Sequence, residues 1–350
     1  MTSISKNNPC GLNGFAFLEF SGPSKATLHE QFTQMGFYKH AQHQHEDISW
    51  FQQSDIQFIV NTSSETQAAR HAKAHGPGAC AMGFRVENAA QAFDYAIKNG
   101  GVPFHEKGLY QHNLPAIEAI GGSVIYFVDE QHTPFKNQWL IDHNNLNPST
   151  TGLIQIDHLT HNVFRGQMDN WANFYETIFN FHEIRFFNIV GQITGLTSRA
   201  LSSPCGKIKI PLNESKDDQS QIEEFLHAYQ GEGIQHIALT TDNIYRSITE
   251  LKNNGVSFLD VPNTYYDMIH ARVPWHKEPL HELQALKILL DGTPTSEGGL
   301  LLQIFTENVF GPVFFEIIQR KGNDGFGEGN FQALFEAIER DQIKRGVLAS

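Results

Sequence analysis

Length, composition and charge narrow the class of this protein before any motif is considered. The chain has 350 residues, 40% hydrophobic and 18% charged, which is typical of a globular protein with room for two domains. A formal net charge of −13 with scattered basic residues disfavours a nucleic-acid partner. No apolar run reaches the roughly 18 residues that span a bilayer, the opening stretch MTSISKNNPCGLNGF is not expected to be a secretory signal, and the three dispersed cysteines suit a reducing compartment. We therefore expect a cytoplasmic protein that binds neither nucleic acid nor membrane.

The first half of the chain predicts an α+β domain. The apolar segment GFAFLEF (14–20) is predicted to be a strand. Residues 80–104 indicate a strand, a helix with apolar residues at the helical period, an Asn-Gly turn and another strand, and a further strand follows at 122–127. The stretch DHNNLNPSTTG (142–152) has the composition of a linker, so we place the end of a first domain, residues 1–145, there.

The second half repeats this pattern. Asn243 stands 155 residues after Asn88 in two segments of the same type. The matched segments are 80–104 with 235–259, 122–127 with 311–316 and, more loosely, 14–20 with 156–163. The chain is therefore predicted to be two copies of one design, with a second domain of residues 152–350. A terminal helix is predicted at about 330–345, with one apolar face and an ion pair between Glu336 and Arg340.

Two histidines open the second copy, in the stretch TGLIQIDHLTHNVFRG (151–166). The β-branched residues around them favour a strand, in which His158 and His161 point to opposite faces. The two residues are therefore not predicted to chelate one metal ion together, and we expect His161 to make a structural hydrogen bond.

The copies differ at three positions that could bind a metal ion. The second copy carries His158, His236 and Glu316 on three predicted strands. Their first-copy counterparts by alignment are Phe15 or Phe17, Ala81 and Phe127, all apolar. Two histidines and one carboxylate form the facial triad that holds Fe(II) with open positions, whereas a zinc hydrolase usually leaves fewer. The alternative is that both histidines are ordinary core residues and that a buried cation such as Arg320 neutralises Glu316.

Five motifs in order add a resemblance to a known family. IDHLTHNV, GIQHIAL, LLQIFT, FFEIIQRKG and GFGEGNF resemble the 4-hydroxyphenylpyruvate dioxygenases, in particular their bacterial branch, and so do NPCGLNGFAFLEF and GPGACAMGFRV in the first half. The resemblance covers nearly the whole chain. It implies an α+β fold of duplicated βαβββ modules of the vicinal-oxygen-chelate (glyoxalase-like) type, forming two open β-barrel domains. It also implies that the first domain lacks a metal, and that the second carries the iron site and a terminal lid helix.

The resemblance also implies site residues. The iron ligands would be His158, His236 and Glu316, holding one Fe(II) per subunit. The substrate pocket would be formed by Ser198, Asn213, Gln221, Gln235, Gln303, Phe305, Phe326, Asn330 and Phe331. No catalytic residue beyond the iron and its ligands is implied.

The implied activity is a non-haem Fe(II) dioxygenase of tyrosine and phenylalanine catabolism. It would convert 4-hydroxyphenylpyruvate and O2 to homogentisate and CO2 by oxidative decarboxylation, ring hydroxylation and side-chain migration, and air oxidation of homogentisate would give a brown pigment. Bacterial members favour a homo-oligomer, a tetramer rather than a dimer. Two alternatives stay open: 4-hydroxymandelate synthase, which the family pattern disfavours because it has an apolar residue at the position of Asn213, and a non-enzymatic binding protein of the same fold.

Overall fold

A computed structural model describes residues 5–105, 114–136, 138–142, 150–190, 195–218 and 220–333. Its strands and helices form two groups along the chain. The first group comprises β1 (Leu12–Ser21), α1 (Lys25–Gln34), β2 (Tyr38–His43), β3 (Ile48–Gln53), β4 (Ile56–Asn61), α2 (Gln67–His75), β5 (Gly78–Val86), α3 (Ala89–Lys98), β6 (Ala116–Glu118), β7 (Val124–Val128) and β8 (Trp139–Ile141). The second group comprises β9 (Leu153–Val163), α4 (Met168–Phe179), β10 (His182–Val190), β11 (Gly195–Ser202), β12 (Lys209–Ser215), α5 (Gln221–Tyr229), β13 (Gly233–Thr241), α6 (Ile244–Asn253), α7 (Asn263–Arg272), α8 (Leu280–Leu286), β14 (Leu289–Gly292), β15 (Leu300–Phe305) and β16 (Phe314–Lys321).

Each group builds one eight-stranded sheet, and one of the two sheets curls into a half-barrel. The strand orders are β6-β7-β5-β1-β4-β3-β2-β8 and β10-β11-β12-β9-β13-β16-β15-β14. Each sheet is centred on an antiparallel pair, β1 with β5 and β9 with β13, whose outer neighbours run parallel to them. Both groups begin with the order βαβββ, so the predicted α+β fold of duplicated modules is confirmed.

The repeat seen in the sequence is preserved residue by residue in one unit. The bounds of β13 and α6 lie 155 residues after those of β5 and α3. Both helices begin with an asparagine cap, since the side chains of Asn88 and Asn243 accept the backbone N–H of Gln91 and Arg246. Local sequence therefore fixes this strand–helix unit in both halves.

One face of each sheet is covered by helices, and the apolar core beneath them is continuous across both halves. The rings of Phe20 and Phe310 have centroids 5.5 Å apart, and those of Phe84 and Phe179 are 5.4 Å apart. Each pair joins one residue of the first half to one of the second. The two sheets are therefore held together by a shared aromatic core.

The opposite face of each sheet, which we call the inner face, differs between the halves. In the first it carries a small apolar cluster that includes Phe17 and Tyr126. In the second it carries buried polar side chains, among them His158 and Glu316. The inner face of the second sheet therefore carries the candidate functional residues.

The predicted terminal helix and the predicted domain bounds are only partly covered by the described residues. Residues 328–333 are helical, but most of the predicted terminal helix, including Glu336 and Arg340, lies outside the described residues. The domain bounds 1–145 and 152–350 stay predictions, and the two sheets fall on either side of the predicted linker. Within the described residues, no helix reaches the length and apolarity needed to cross a membrane.

Candidate metal centre

Three buried side chains converge on the inner face of the second sheet, and we call them the metal group because they could hold a metal ion. His158, His236 and Glu316 each offer one ligand atom, and these atoms lie within 4.8 Å of one another. The Nε2 atoms of His158 and His236 lie 3.1 and 3.6 Å from Oε2 of Glu316. Two imidazoles and one carboxylate gathered in this way are the donor set of a facial triad. The group therefore fits a divalent transition metal that keeps open positions for other ligands.

Strand register explains how distant residues meet. His158 of β9 pairs with Ala238 of β13, Ala238 pairs with Glu316 of β16, and Glu316 pairs with Phe305 of β15. Because paired residues of neighbouring strands point to the same face, this row crosses the inner face over four strands. His236 lies two residues before Ala238 on β13 and shares that face.

Each of the two histidines follows the extra residue of a β-bulge. The β9–β13 register slips by one residue at Gln235 on β13 and again at Asp157 on β9. A bulge sets two residues opposite one and re-aims side chains locally. Asp157 and Gln235 can therefore reach the imidazole that follows them in the chain, which a regular strand would place on the opposite face.

These two residues orient the imidazoles. His158 Nδ1 lies 2.8 Å from Asp157 Oδ1, and His236 Nδ1 lies 3.0 Å from Gln235 Oε1. With Nδ1 donating to an oxygen, the Nε2 lone pair points toward Glu316 and is available to a metal ion. Metal-binding histidines are commonly held in this way.

Arg320 neutralises Asp157 rather than Glu316. Its Nε and Nη2 donate to the two Asp157 oxygens at 2.8 and 2.7 Å. Burial alone raises the pKa of Asp157, but hydrogen bonds from Arg320 and His158 hold it well below its usual range. Among the described residues, the ion-pair partners of Glu316 are the two imidazoles. A metal ion is the cation that would satisfy this buried carboxylate.

The pKa values of the two imidazoles shift in opposite directions. Burial lowers the pKa of His158, but its bonds to Asp157 and Glu316 outweigh burial and raise it. Burial, assisted by the positive charge of His158, lowers the pKa of His236 well below its ordinary value. A proton and a metal ion therefore compete for Nε2 of His158, while His236 is held neutral and ready to bind.

The first domain has apolar side chains at the same three positions. Strand register places Phe17, Ala81 and Tyr126 as the counterparts of the three converging residues. The rings of Phe17 and Tyr126 lie 5.9 Å apart and pack with Ala81 in one apolar cluster. Within the described residues, this cluster offers the first domain no imidazole or carboxylate at these positions.

The predicted counterpart of Glu316 is wrong by one residue. Sequence alignment paired Glu316 with Phe127, but Gly83, the equivalent of Ala238, pairs with Tyr126. Phe127 belongs instead to the core on the helix-covered face. A slip of one residue exchanges the two faces of a strand, and the match of two short apolar runs could not fix that register.

Both bulges recur in the first domain. The β1–β5 register slips at Ala16 on β1 and at Cys80 on β5. These extra residues stand where the second domain has Asp157 and Gln235. The backbone that presents the metal group is thus common to both domains, and only the side chains differ.

A second row of paired residues crosses the inner face four residues further along β9. Its members are Phe187, Ser198, Asn213, Asn162 and Gly233. Asn162 is fully buried, and neither of its side-chain amide atoms has a hydrogen-bond partner among the described residues. Because an unpartnered buried amide is costly, this row is suited to a polar group of a ligand.

A third set of contacts fixes the chain that follows β16. Gln303 Oε1 accepts from Asn330 Nδ2 at 3.1 Å, and Asn330 Oδ1 accepts from the Tyr265 hydroxyl at 2.5 Å. Gly327 passes so close to Gln303 that a Cβ there would lie 1.9 Å from Oε1. The start of the helical segment 328–333 is therefore anchored at the edge of the inner face.

Aromatic rings surround the metal group. The Phe326 ring lies 5.2 Å from the His158 ring in an edge-on arrangement, and the Phe305 ring lies 6.3 Å from that of His236. Phe331 is 6.5 Å from Phe305, centroid to centroid. These rings give the polar centre an apolar surround that suits an aromatic ligand.

Comparison with known proteins assigns the family. Residues 6–143 match the family model described as hydroxyphenylpyruvate dioxygenase, N-terminal, and residues 155–269 match the glyoxalase/bleomycin resistance protein/dioxygenase superfamily. The chain is 66% identical to a 4-hydroxyphenylpyruvate dioxygenase of Legionella pneumophila strain Corby, over 99% of each chain. It is 51% identical to the one of Pseudomonas aeruginosa, again over 99% of each chain.

The chain belongs to the 4-hydroxyphenylpyruvate dioxygenase family. The membership predicted from five motifs is thus confirmed. Among solved structures, a mutant 4-hydroxymandelate synthase from Streptomyces coelicolor is similar, with a TM-score of 0.80 at 25% identity, covering 95% of this chain and 99% of that one.

Two residues that the dioxygenase resemblance implied for the pocket stand apart from the others. Gln221 is the first residue of α5 and is exposed. Gln235 is engaged with His236 through its Oε1. The remaining implied residues lie on the inner face or at its edge, and they are Ser198, Asn213, Gln303, Phe305, Phe326, Asn330 and Phe331. The role of the whole set in substrate binding stays a prediction.

His161 lies on the helix-covered face, away from the metal group of this dioxygenase-family chain. It is fully buried, and its Nε2 lies 2.8 Å from the Tyr175 hydroxyl on α4. Burial lowers its pKa to about 3, so it stays neutral. The prediction that His158 and His161 point to opposite sides is confirmed, as is the structural hydrogen bond.

Several residues at the centre escaped sequence reasoning. Asp157 directly precedes the candidate ligand His158 in an apolar strand, and Asn162 lies four residues after His158. A polar residue in a buried strand often has a functional partner, so the sequence did offer an indication for both. Tyr265 and Arg272 on α7 hold Asn330, with Arg272 Nη2 donating to its Oδ1 at 3.2 Å. Nothing in the local sequence of α7 indicates that contact.

Proposed function

We propose that this chain is a 4-hydroxyphenylpyruvate dioxygenase that uses one Fe(II) held by His158, His236 and Glu316. The observation that carries the proposal is this buried facial group in a chain 66% and 51% identical to enzymes of that name. The substrates would be 4-hydroxyphenylpyruvate and O2, and the products homogentisate and CO2.

The donor set supports iron in particular. Two neutral imidazoles and one carboxylate bind on one side and leave positions open, as in non-haem Fe(II) oxygenases. When bound, the iron would supply coordination positions for the 2-oxo acid end of the substrate and the activation of O2, which the protein's own side chains cannot provide. Asp157 and Gln235 contribute by orienting the two imidazoles so that each Nε2 atom is directed toward the metal position.

The two rows on the inner face match the two ends of the substrate. They are separated by four residues of β9, or about 13 Å at about 3.3 Å per residue. The 2-oxo acid would lie at the row that contains His158 and Glu316. The phenol hydroxyl would lie at the row that contains Ser198, Asn213 and Asn162. Their hydroxyl and amide groups can donate to and accept from a phenol, which would orient the ring for hydroxylation.

The aromatic residues and the chain after β16 would exclude water. Phe326 covers one side of His158, and Phe331 extends the apolar wall from Phe305. Gln303 and Asn330 fix the start of the helical segment there. A dry cavity protects a reactive oxidant from side reactions, so we assign the terminal segment the role of a cover.

The division of roles between the halves belongs to the same proposal. Residues 152–350 would form the catalytic domain, and residues 1–145 a domain without metal, because its three equivalent positions are Phe17, Ala81 and Tyr126. The resemblance to bacterial members supports a cytoplasmic homo-oligomer, with a tetramer favoured.

Reconstitution tests the function directly. The purified chain, freed of metal and reloaded anaerobically with Fe(II), should consume O2 on addition of 4-hydroxyphenylpyruvate and form homogentisate, detected by chromatography. Formation of 4-hydroxymandelate would instead assign the activity of the related synthase. Absence of O2 uptake by iron-loaded protein would remove both activities and leave a binding protein of the same fold.

A further inference from the structure

One guanidinium joins a candidate metal ligand to a neighbouring loop. The Nε and Nη2 atoms of Arg320 hold the Asp157 carboxylate, and that carboxylate orients His158. Arg320 is largely buried at the end of β16, four residues after Glu316. It is therefore in contact with the metal group through one intermediate, Asp157.

The remaining amino group of Arg320 holds the loop formed by residues 322–327. Its Nη1 donates to the carbonyl oxygens of Asn323 and Gly325 at 3.0 and 2.7 Å. The same guanidinium lies 5.9 Å from the centroid of the Phe326 ring. Arg320 thus fixes the backbone and one side chain of this loop.

Phe326 closes a circuit back to the metal group. Its ring packs edge-on against the His158 ring, with the centroids 5.2 Å apart. The contacts therefore run from His158 to Asp157, to Arg320, to the loop, and from the loop back to His158. Beyond the loop, the chain continues into the helical segment that carries Asn330 and Phe331.

We propose that Asp157 and Arg320 are positioning residues that couple metal binding at His158 to the placement of the 322–327 loop over the site. The proposal rests on the metal site of the proposed function. A metal ion on Nε2 fixes the imidazole, the imidazole fixes the Asp157 carboxylate, and the planar Arg320 fork passes that orientation to the loop carbonyls. Coupling is reciprocal, so a placed loop strengthens metal binding by the factor by which metal stabilises the loop.

Charge neutralisation alone does not account for Arg320. Lys209 lies 4.0 Å from Asp157 Oδ2 and already brings a positive charge to the same carboxylate. What Lys209 lacks is a rigid fork that can hold a carboxylate and two carbonyl oxygens at once, which is a property of the guanidinium. An exchange of Arg320 for lysine would therefore keep the charge and remove the connection.

Metal titration and hydrogen exchange on the full chain test this coupling. Co(II) alone serves as the probe, since its visible absorption reports binding without turnover. We expect saturating Co(II) to slow amide exchange in residues 322–327 of the unaltered protein. In Arg320→Lys, Co(II) affinity should fall about tenfold or more, and saturating metal should no longer slow exchange in the loop.

Gln235→Leu is the matched control. It removes the residue that orients the other imidazole, so Co(II) affinity should fall by a similar factor. No hydrogen bond joins Gln235 to the loop among the described residues, so saturating Co(II) should still slow exchange at 322–327. If Arg320→Lys fails to fold by circular dichroism, Asp157→Asn, which keeps the shape of the carboxylate, takes its place and should give the same uncoupling.

Two results would overturn the proposal. One is loop exchange that does not respond to Co(II) in the unaltered protein. The other is a normal response in Arg320→Lys or Asp157→Asn. Because no substrate is used, failure of the proposed activity shows separately, as a protein that binds metal and responds in its loop but takes up no O2.

Discussion

The two domains present the same backbone and opposite chemistry on their inner faces. In the second, two bulges set Asp157 and Gln235 beside two imidazoles, and a carboxylate completes the group. In the first, the same two bulges carry Ala16 and Cys80. The positions that correspond to the metal group are apolar there and pack against one another.

This comparison separates what the fold requires from what the chemistry requires. The bulges persist where no imidazole has to be oriented, so the curvature of the sheet is sufficient reason for them. Five side chains on that common backbone then decide whether the inner face holds a metal ion or an apolar cluster. The following substitutions test that distinction, beginning with the largest expected effect.

Glu316→Ala should abolish both metal binding and turnover while the protein stays folded. The first domain shows that an uncharged residue is accepted at this position, since Tyr126 occupies it there. Metal content, O2 uptake and thermal unfolding should be measured together, with exposed Glu307→Ala as the control. Normal turnover of Glu316→Ala would refute its assignment as a ligand.

Phe331→Ala should reduce kcat/KM by about 10- to 100-fold and leave the metal content unchanged. The ring lies 6.5 Å from Phe305 and extends the wall of the cavity, but it does not contact the three candidate ligands among the described ring contacts. Loss of a well-positioned enclosure slows chemistry by factors of this order. Iron content near one equivalent alongside slow turnover is the expected result, and loss of iron would contradict the role as a cover.

Asn162→Leu should raise KM for 4-hydroxyphenylpyruvate and lower kcat/KM about tenfold, which corresponds to one hydrogen bond of about 1.4 kcal/mol. The kcat/KM for phenylpyruvate, which lacks the hydroxyl, should change little. The free energy of unfolding should not fall, because the change removes a fully buried amide without partners among the described residues. An equal loss with both substrates would show that Asn162 does not contact the hydroxyl.

Cys80→Ala should have the smallest effect. It stands at the position that Gln235 occupies in the second domain, and its Sγ lies 3.5 Å from the Glu19 carbonyl oxygen. We expect a loss of about 1 kcal/mol in the free energy of unfolding, as for one buried methyl-sized group, and unchanged metal affinity. Urea unfolding and a Co(II) titration check this, and weakened metal binding would mean that the domains are coupled through their bulges.

The sequence predicted the parts of this molecule that depend on local pattern. The β5–α3 and β13–α6 units follow from apolar periodicity and an Asn-Gly turn, and the opposite facing of His158 and His161 follows from the period of a strand. The identity of the three candidate ligands followed from the difference between the copies.

The sequence did not predict the register in which strands distant along the chain pair with one another. The bulges at Asp157 and Gln235 are visible only when two strands are paired, which is why Glu316 was aligned with Phe127 instead of Tyr126. The bond between Asp157 and Arg320 joins strands that lie 163 positions apart in sequence. Such contacts depend on the folded sheet, and a single sequence carries no information about which distant polar residues will meet.

The aromatic contacts between the halves, such as Phe20 with Phe310 and Phe84 with Phe179, have a consequence for the first domain. If the second domain were expressed alone, these rings would face water, and their exposure would favour aggregation over folding. The first domain would then serve as a permanent folding partner, comparable to the other subunit of an obligate dimer that has been fused into one chain. Selection on it would act through solubility and yield rather than through turnover.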